Sequence, residues 1–221
     1  MDRQIQTAAR LIAVDGSRGA DLARSADRLA AALRAQGVEC VISRWDASGL
    51  FGELAQTSDR TSASPRTLSL VYAADLAFRL RWEIRTALGA GTVVIAAPYV
   101  ETAIAFGAGC GLPEQWLREL LRFAPRPDVQ CLARERKRDR GWQPRLDRGY
   151  PEYCAALFAP SSPRLVSKRA REGMIGALAA AGGRRGYELS GSGVERAVTA
   201  IRRSRPAAAS PRPSRPRIAR R

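Results

Sequence analysis

The run Leu11-Ile12-Ala13-Val14-Asp15 leads directly into a glycine-bearing turn, Gly16-Ser17-Arg18-Gly19. Loop amides and the start of a following helix point their N–H groups at anions, so such a turn can hold a phosphate. Alone it is a weak signal, because any tight strand-to-helix turn needs the same glycines. The side chains that would complete an anion or metal site are scarce. There is no histidine, and of the 37 basic residues only Lys137 and Lys168 are lysines, the other 35 being arginines. A histidine base, a histidine metal ligand, or a lysine within the first 136 residues is therefore excluded from any mechanism. Cys40, Cys110, Cys131 and Cys154 lie 70, 21 and 23 residues apart, too far for a metal knuckle or a redox pair. They are expected to be free buried thiols, with no metal site.

The elements that must position this turn follow from periodicity. Leu11 to Asp15 is a strand, and from Asp21 the spacing becomes helical, with Leu22, Ala26, Leu29 and Leu33 on one stripe, Asp21 as N-cap and Gly37 beyond the end. Val38 to Ser43 is a second strand, so the chain opens with a βαβ unit and a parallel sheet is expected. Arg44 to Arg66 is polar and is expected to be a surface loop. A helix over Thr67 to Leu88 carries Val71, Ala74, Phe78 and Ile84 among its apolar positions. Thr92 to Ala97 is apolar without alternation, as in a strand buried on both faces.

Pro98 to Phe106 then leads to a glycine-rich turn, Gly107 to Gly111, and a helix starting near Pro113 presents Trp116, Leu117, Leu120, Leu121 and Phe123. Asp128 to Leu132 is a weak strand. Further helices are expected over Tyr150 to Phe158, Glu172 to Ala181 and Val194 to Arg203. No apolar run approaches the roughly 20 residues of a membrane span, and the first residues lack the apolar core of a leader, so a cytoplasmic protein with no membrane partner is expected.

The formal charge is +16, unevenly spread, since Arg184 to Arg221 holds 11 arginines against Glu188 and Glu195. Beyond Ser204, prolines alternate with Ser, Ala and Arg, a composition that cannot bury enough surface to order itself. The expected organisation is one domain over 1–203 and a disordered basic tail over 204–221.

Several segments, in order, resemble the thymidylate kinase family of P-loop nucleoside monophosphate kinases over roughly residues 10 to 158. The family's E-G-x-D-G-x-G-K-[ST] is matched by Asp15-Gly16-Ser17-Arg18-Gly19-Ala20-Asp21-Leu22-Ala23, and its T-R-E-P-G-G segment by Ser43-Arg44-Trp45-Asp46-Ala47-Ser48-Gly49. Its L-L-F-A-A-D-R helix is similar to Leu70-Val71-Tyr72-Ala73-Ala74-Asp75-Leu76. Its D-R-Y-x-x-S motif and the following glycine-rich stretch are similar to Ala97-Pro98-Tyr99-Val100-Glu101-Thr102 through Phe106 and Leu112. A W-L-x-x-L-N-R-F-A helix and a P-D strand are echoed by Trp116 to Ala124 and Pro127-Asp128, and an R-x-G-Y by Arg148-Gly149-Tyr150. The resemblance implies a three-layer α/β fold of the P-loop NTPase type, with a mostly parallel sheet and helices on both faces.

The same resemblance makes Gly16, Ser17, Arg18, Gly19, Ala20 and Asp21 the phosphate-loop positions. Arg44, Tyr72, Leu76, Tyr99, Thr102 and Phe106 become the nucleotide-pocket positions, and Arg134, Arg136, Arg138 and Arg140 the lid. The departures fall on chemistry. The loop lysine that neutralises the β and γ phosphates is Leu22, and the hydroxyl that binds Mg²⁺ is Ala23. Asp21 adds a carboxylate where the loop should cradle phosphate; a like-charge pair ~4 Å apart costs about 4 kcal/mol at an effective dielectric of ~20. The Asp-Arg pair after the central strand is Ala97-Pro98, the loop aspartate is Arg18, and the base-contacting arginine is Leu76.

Three readings follow. The first is a pseudoenzyme with a degenerate Walker A loop and no cofactor, binding a nucleotide, a protein partner or a second copy of itself. The second is a divergent but active kinase converting ATP and dTMP to ADP and dTDP with Mg²⁺, in which Arg18 or Arg24 replaces the lysine. The third assigns nucleic-acid or acidic-partner binding to the tail. Under it, binding is steep in salt and disappears when residues 204–221 are removed, and unchanged binding by the truncated chain would rule it out.

Overall fold

The computed structural model describes residues 10–16, 19–45, 47–50, 64–133, 186–189 and 191–203. Its frame is a five-stranded sheet formed by β1 (Leu11–Asp15), β2 (Cys40–Arg44), β3 (Val93–Ala97), β4 (Val129–Leu132) and β5 (Gly186–Glu188), in the order β2-β3-β1-β4-β5. Every pairing is parallel. All five residues of β1 and of β3 are buried, which is why Leu11 to Val14 and Val93 to Ala97 read as apolar runs without alternation.

Six helices are described: α1 (Gly19–Arg34), α2 (Pro65–Arg79), α3 (Arg85–Gly89), α4 (Val100–Gly109), α5 (Glu114–Leu120) and α6 (Gly191–Arg203). The crossover through α1 moves from β1 outward to β2, and the chain then steps back to β3. Right-handed connections therefore place α1 and α2 on opposite faces of the sheet. α1 packs beside α6, whereas α2 packs with α4 and α5. Leu22, Ala26, Leu29, Ala30 and Leu33 are the buried stripe of α1, as the spacing predicts.

Several local expectations are corrected. α1 begins at Gly19, so Asp21 lies in its first turn and is not the N-cap; a carboxylate there still faces the positive end of the helix. β2 starts at Cys40 and runs to Arg44, slightly later than Val38 to Ser43. The helix over 67–88 is two α segments joined by a π-helical stretch, Leu80–Ile84. It is capped by Ser64, whose Oγ accepts from the Thr67 amide at 3.1 Å, with Pro65 in its first turn.

Its buried face runs through Leu68, Tyr72, Leu76 and Leu80; Ala74 and Phe78 face outward and Val71 is half-buried. Apolar residues occur on both faces of this helix, so periodicity did not decide which one packs. Gly107 to Gly109 continue α4 and do not form a turn. Phe123 is exposed, while Leu117 and Leu121 are buried. β5 was not legible, being only three residues of mixed character. The expected segments Tyr150 to Phe158 and Glu172 to Ala181, and the tail 204–221, lie outside the described residues.

Within α4, the missing side chain of Gly107 lets α5 pass close by. A Cβ there would sit 2.5 Å from Cδ2 of Leu117, a fully buried side chain. Gly107→Ala is expected to lower stability by about 1–3 kcal/mol through overpacking. Combining it with Leu117→Ala should cost less than the sum of the two single changes, as read by denaturant unfolding.

Candidate functional site

In doubly wound sheets, ligands bind outside the carboxyl ends of the strands, where the strand order reverses. Here that point is the end of β1, flanked by β3 and β4. Asp15 closes β1 and is buried. Its Oδ1 accepts hydrogen bonds from the Tyr99 amide at 2.9 Å, the Thr102 amide at 2.9 Å and the Thr102 hydroxyl at 2.7 Å. Tyr99 is the N-cap residue of α4 and makes no side-chain cap of its own, so a carboxylate from the neighbouring strand caps this helix. Burial pushes the Asp15 carboxyl up to about 6, against the lowering effect of these three hydrogen bonds.

Thr102 also accepts from the Gly16 amide at 3.1 Å, fixing the first glycine of the loop. Gly16 is tightly enclosed: a Cβ would meet the Ala133 Cβ at 2.9 Å and Cγ of Leu22 at 3.2 Å. Leu22, at the lysine position of the family pattern, is therefore turned into the core beneath the loop, with 0% exposure. Asp21 is also buried, and Arg24 Nη1 lies 3.4 Å from its Oδ1. Gly19 and Ala20 already belong to α1, and Ala23 is half-buried. Ser17 and Arg18 lie outside the described residues.

The pocket positions converge, but on one another. Tyr72, Leu76, Tyr99, Thr102 and Phe106 are all buried. The Tyr72 hydroxyl donates to the Tyr99 carbonyl at 2.5 Å, and the Tyr99 hydroxyl donates to the Pro125 carbonyl at 2.7 Å. Burial, followed by the charge of Asp15, raises the Tyr99 phenol well above its ordinary range. Ala97 is buried at the end of β3, followed by Pro98, whose carbonyl accepts from Arg79. Arg44, at the end of β2, points to the partly exposed side and pairs with Asp27 of α1. The lid positions Arg134, Arg136, Arg138 and Arg140 lie outside the described residues.

Sequence reasoning missed a fully buried charge here. Arg79 has 0% exposure; its Nε donates to Ser43 Oγ, and its Nη2 to the carbonyls of Ser43 and Pro98, each at 3.0 Å. It bridges the carboxyl ends of β2 and β3, and Asp75, also buried, lies 3.9 Å from its Nη1. The only sequence signal was the spacing of Tyr72, Asp75 and Arg79, which puts all three on one helix face. Cys40 and Cys131 are free and buried and Cys110 is free and half-buried, with burial pushing the Cys131 thiol up to about 12; Cys154 is outside the described residues. Among the described residues no three or more metal-binding side chains cluster, and no helix is long and apolar enough to cross a membrane.

Parallel strand order, Gly16 directly after β1 and helices on both faces define an α/β fold of the P-loop NTPase type. The thymidylate kinase from Ehrlichia chaffeensis superposes with a TM-score of 0.58 over 82% of this chain and 86% of that one, at 15% identity. In sequence, the thymidylate kinase of Xanthomonas oryzae pv. oryzae (strain PXO99A) is 39% identical over 127 residues, 55% of this chain and 54% of that protein. The thymidylate kinase of Xylella fastidiosa (strain M12) is 35% identical over 133 residues, 60% of this chain and 61% of that protein. The chain thus spans a little over half the length of these curated relatives, and no family model matches it. In sequence and fold the chain is thymidylate kinase-like.

The raised Asp15 carboxyl sets a pH dependence. Its stabilising contribution is complete below about 4 and is lost as pH rises to about 6, because the folded state holds the proton longer than the unfolded chain. Asp15→Asn, which keeps an acceptor without the charge, should gain stability relative to the wild type by about 3 kcal/mol between pH 4 and 7. Parallel unfolding curves at all pH values would show that Asp15 ionises normally.

Proposed function

We propose that this thymidylate kinase-like chain does not transfer phosphoryl groups and acts as a pseudoenzyme whose remaining role is to bind a nucleotide or a partner protein. The observation that carries the reading is Leu22. At the position where a P-loop lysine meets the phosphates stands a side chain packed under Gly16 and out of solvent. Ala23 offers no hydroxyl to Mg²⁺, and Asp21 adds a buried carboxylate in the first turn of α1, where an incoming triphosphate would be repelled. These residues do not fit Mg²⁺ and ATP.

The active alternative draws support from the 39% identity to a thymidylate kinase and needs another cation for the phosphates. Arg24 is within the described residues, but Asp21 already engages its guanidinium. Purified protein with ATP, Mg²⁺ and dTMP is expected to form no dTDP above background, and calorimetry should detect no ATP binding. Turnover within a few orders of magnitude of ordinary enzymes, about 10 per second, would overturn the proposal. Calorimetry with dTMP and dTTP then separates a nucleotide binder from a protein that uses only macromolecular partners.

A further inference from the structure

The two segments that the family resemblance places on the substrate side meet each other. Trp45, in the turn after β2, lays its indole on the Tyr72 ring, with centroids 4.5 Å apart and planes inclined by 30°. Both rings are buried, and the Tyr72 hydroxyl is anchored to the Tyr99 carbonyl. Three residues after Trp45, Ser48 donates from its amide and its hydroxyl to Asp75 Oδ1 at 3.0 and 2.9 Å, pinning the turn against α2. Asp75 and Arg79 continue the helix face that carries Tyr72, and Arg79 Nη1 has no hydrogen-bond partner among the described residues.

A flat ring on one side, with the buried Arg79 guanidinium further along the same helix face and its Nη1 not hydrogen-bonded among the described residues, suits a heterocycle that has acceptors on its edge. We propose that Trp45 is an internal occupant of a slot for a flat heteroaromatic ring of the nucleobase class, and that its indole keeps this slot closed in the wild-type chain. The proposal rests on reading this crevice as a former nucleotide pocket. Ordinary core packing is the competing explanation, and the two differ in what fills the space once the indole is gone. A plain core cavity takes an apolar ring such as indole, whereas a slot with a polar edge takes a nucleoside as well.

The test is calorimetric titration of thymidine and of indole into the wild type and Trp45→Gly. The wild type is expected to show no thymidine binding at millimolar concentration. The variant should bind thymidine roughly tenfold or more tightly than that limit, and Tyr72→Ala in the variant background should abolish the gain. Binding of indole but not thymidine by Trp45→Gly, or equal thymidine binding by wild type and variant, overturns the proposal. Should Trp45→Gly not melt cooperatively, restoration of the transition by thymidine supports the slot; restoration by indole alone, or by neither, overturns it. dTDP formation by the wild type refutes both the loss of phosphoryl transfer and the closed slot, whereas failure of the glycine variant to bind thymidine refutes only the internal occupant.

Discussion

The Asp15 carboxylate joins the end of β1 to the start of α4, 84 residues further along the chain. One oxygen takes the amides of Tyr99 and Thr102 together with the Thr102 hydroxyl, and Thr102 passes the connection on to the Gly16 amide. The end of β1, the first glycine of the loop and the start of α4 are thereby held in one hydrogen-bonded unit. Burying a carboxylate opposes ionisation, and three donors on one oxygen offset that cost only in part, which is why the group stays protonated to about 6.

Beside this unit, the carboxyl ends of β2 and β3 are bridged by Arg79 through Ser43 and Pro98. Ser43 Oγ in turn donates to Glu83 Oε2 at 2.6 Å, bringing the π-helical stretch into the same network. The carboxyl edge of the sheet, where this fold class usually receives a ligand, is therefore furnished with the protein's own polar contacts. A guanidinium suits this place because its fork can satisfy several carbonyls and hydroxyls at once, which a lysine ammonium does less well in a fixed geometry.

Much of the frame was legible. β1 and β3 announced themselves as apolar runs, and the stripe of Leu22, Ala26, Leu29 and Leu33 identified the buried side of α1. α2 was harder, because Leu70, Ala74 and Phe78 make its outward side nearly as apolar as its inward one, and only packing against α4 and α5 separates them. Trp45 was expected within a surface loop and is instead buried, because its partner Tyr72 lies 27 residues away and nothing local indicates the contact. Arg79 was passed over since an arginine in an arginine-rich chain carries no local mark of burial.

The sequence by itself determined the kind of fold and the chemistry that is lacking. Residue types set both directly: apolar periodicity dictates which segments must be buried in a parallel sheet, and a chain without a lysine before Lys137 cannot place one in its loop. Tertiary structure alone decided what became of the vacated positions. Leu22 turned inward beneath Gly16, Asp15 became the cap of α4, and Trp45 stacked on Tyr72. Each outcome depends on contacts between residues distant along the chain, where geometry and desolvation, not local preference, select the partner.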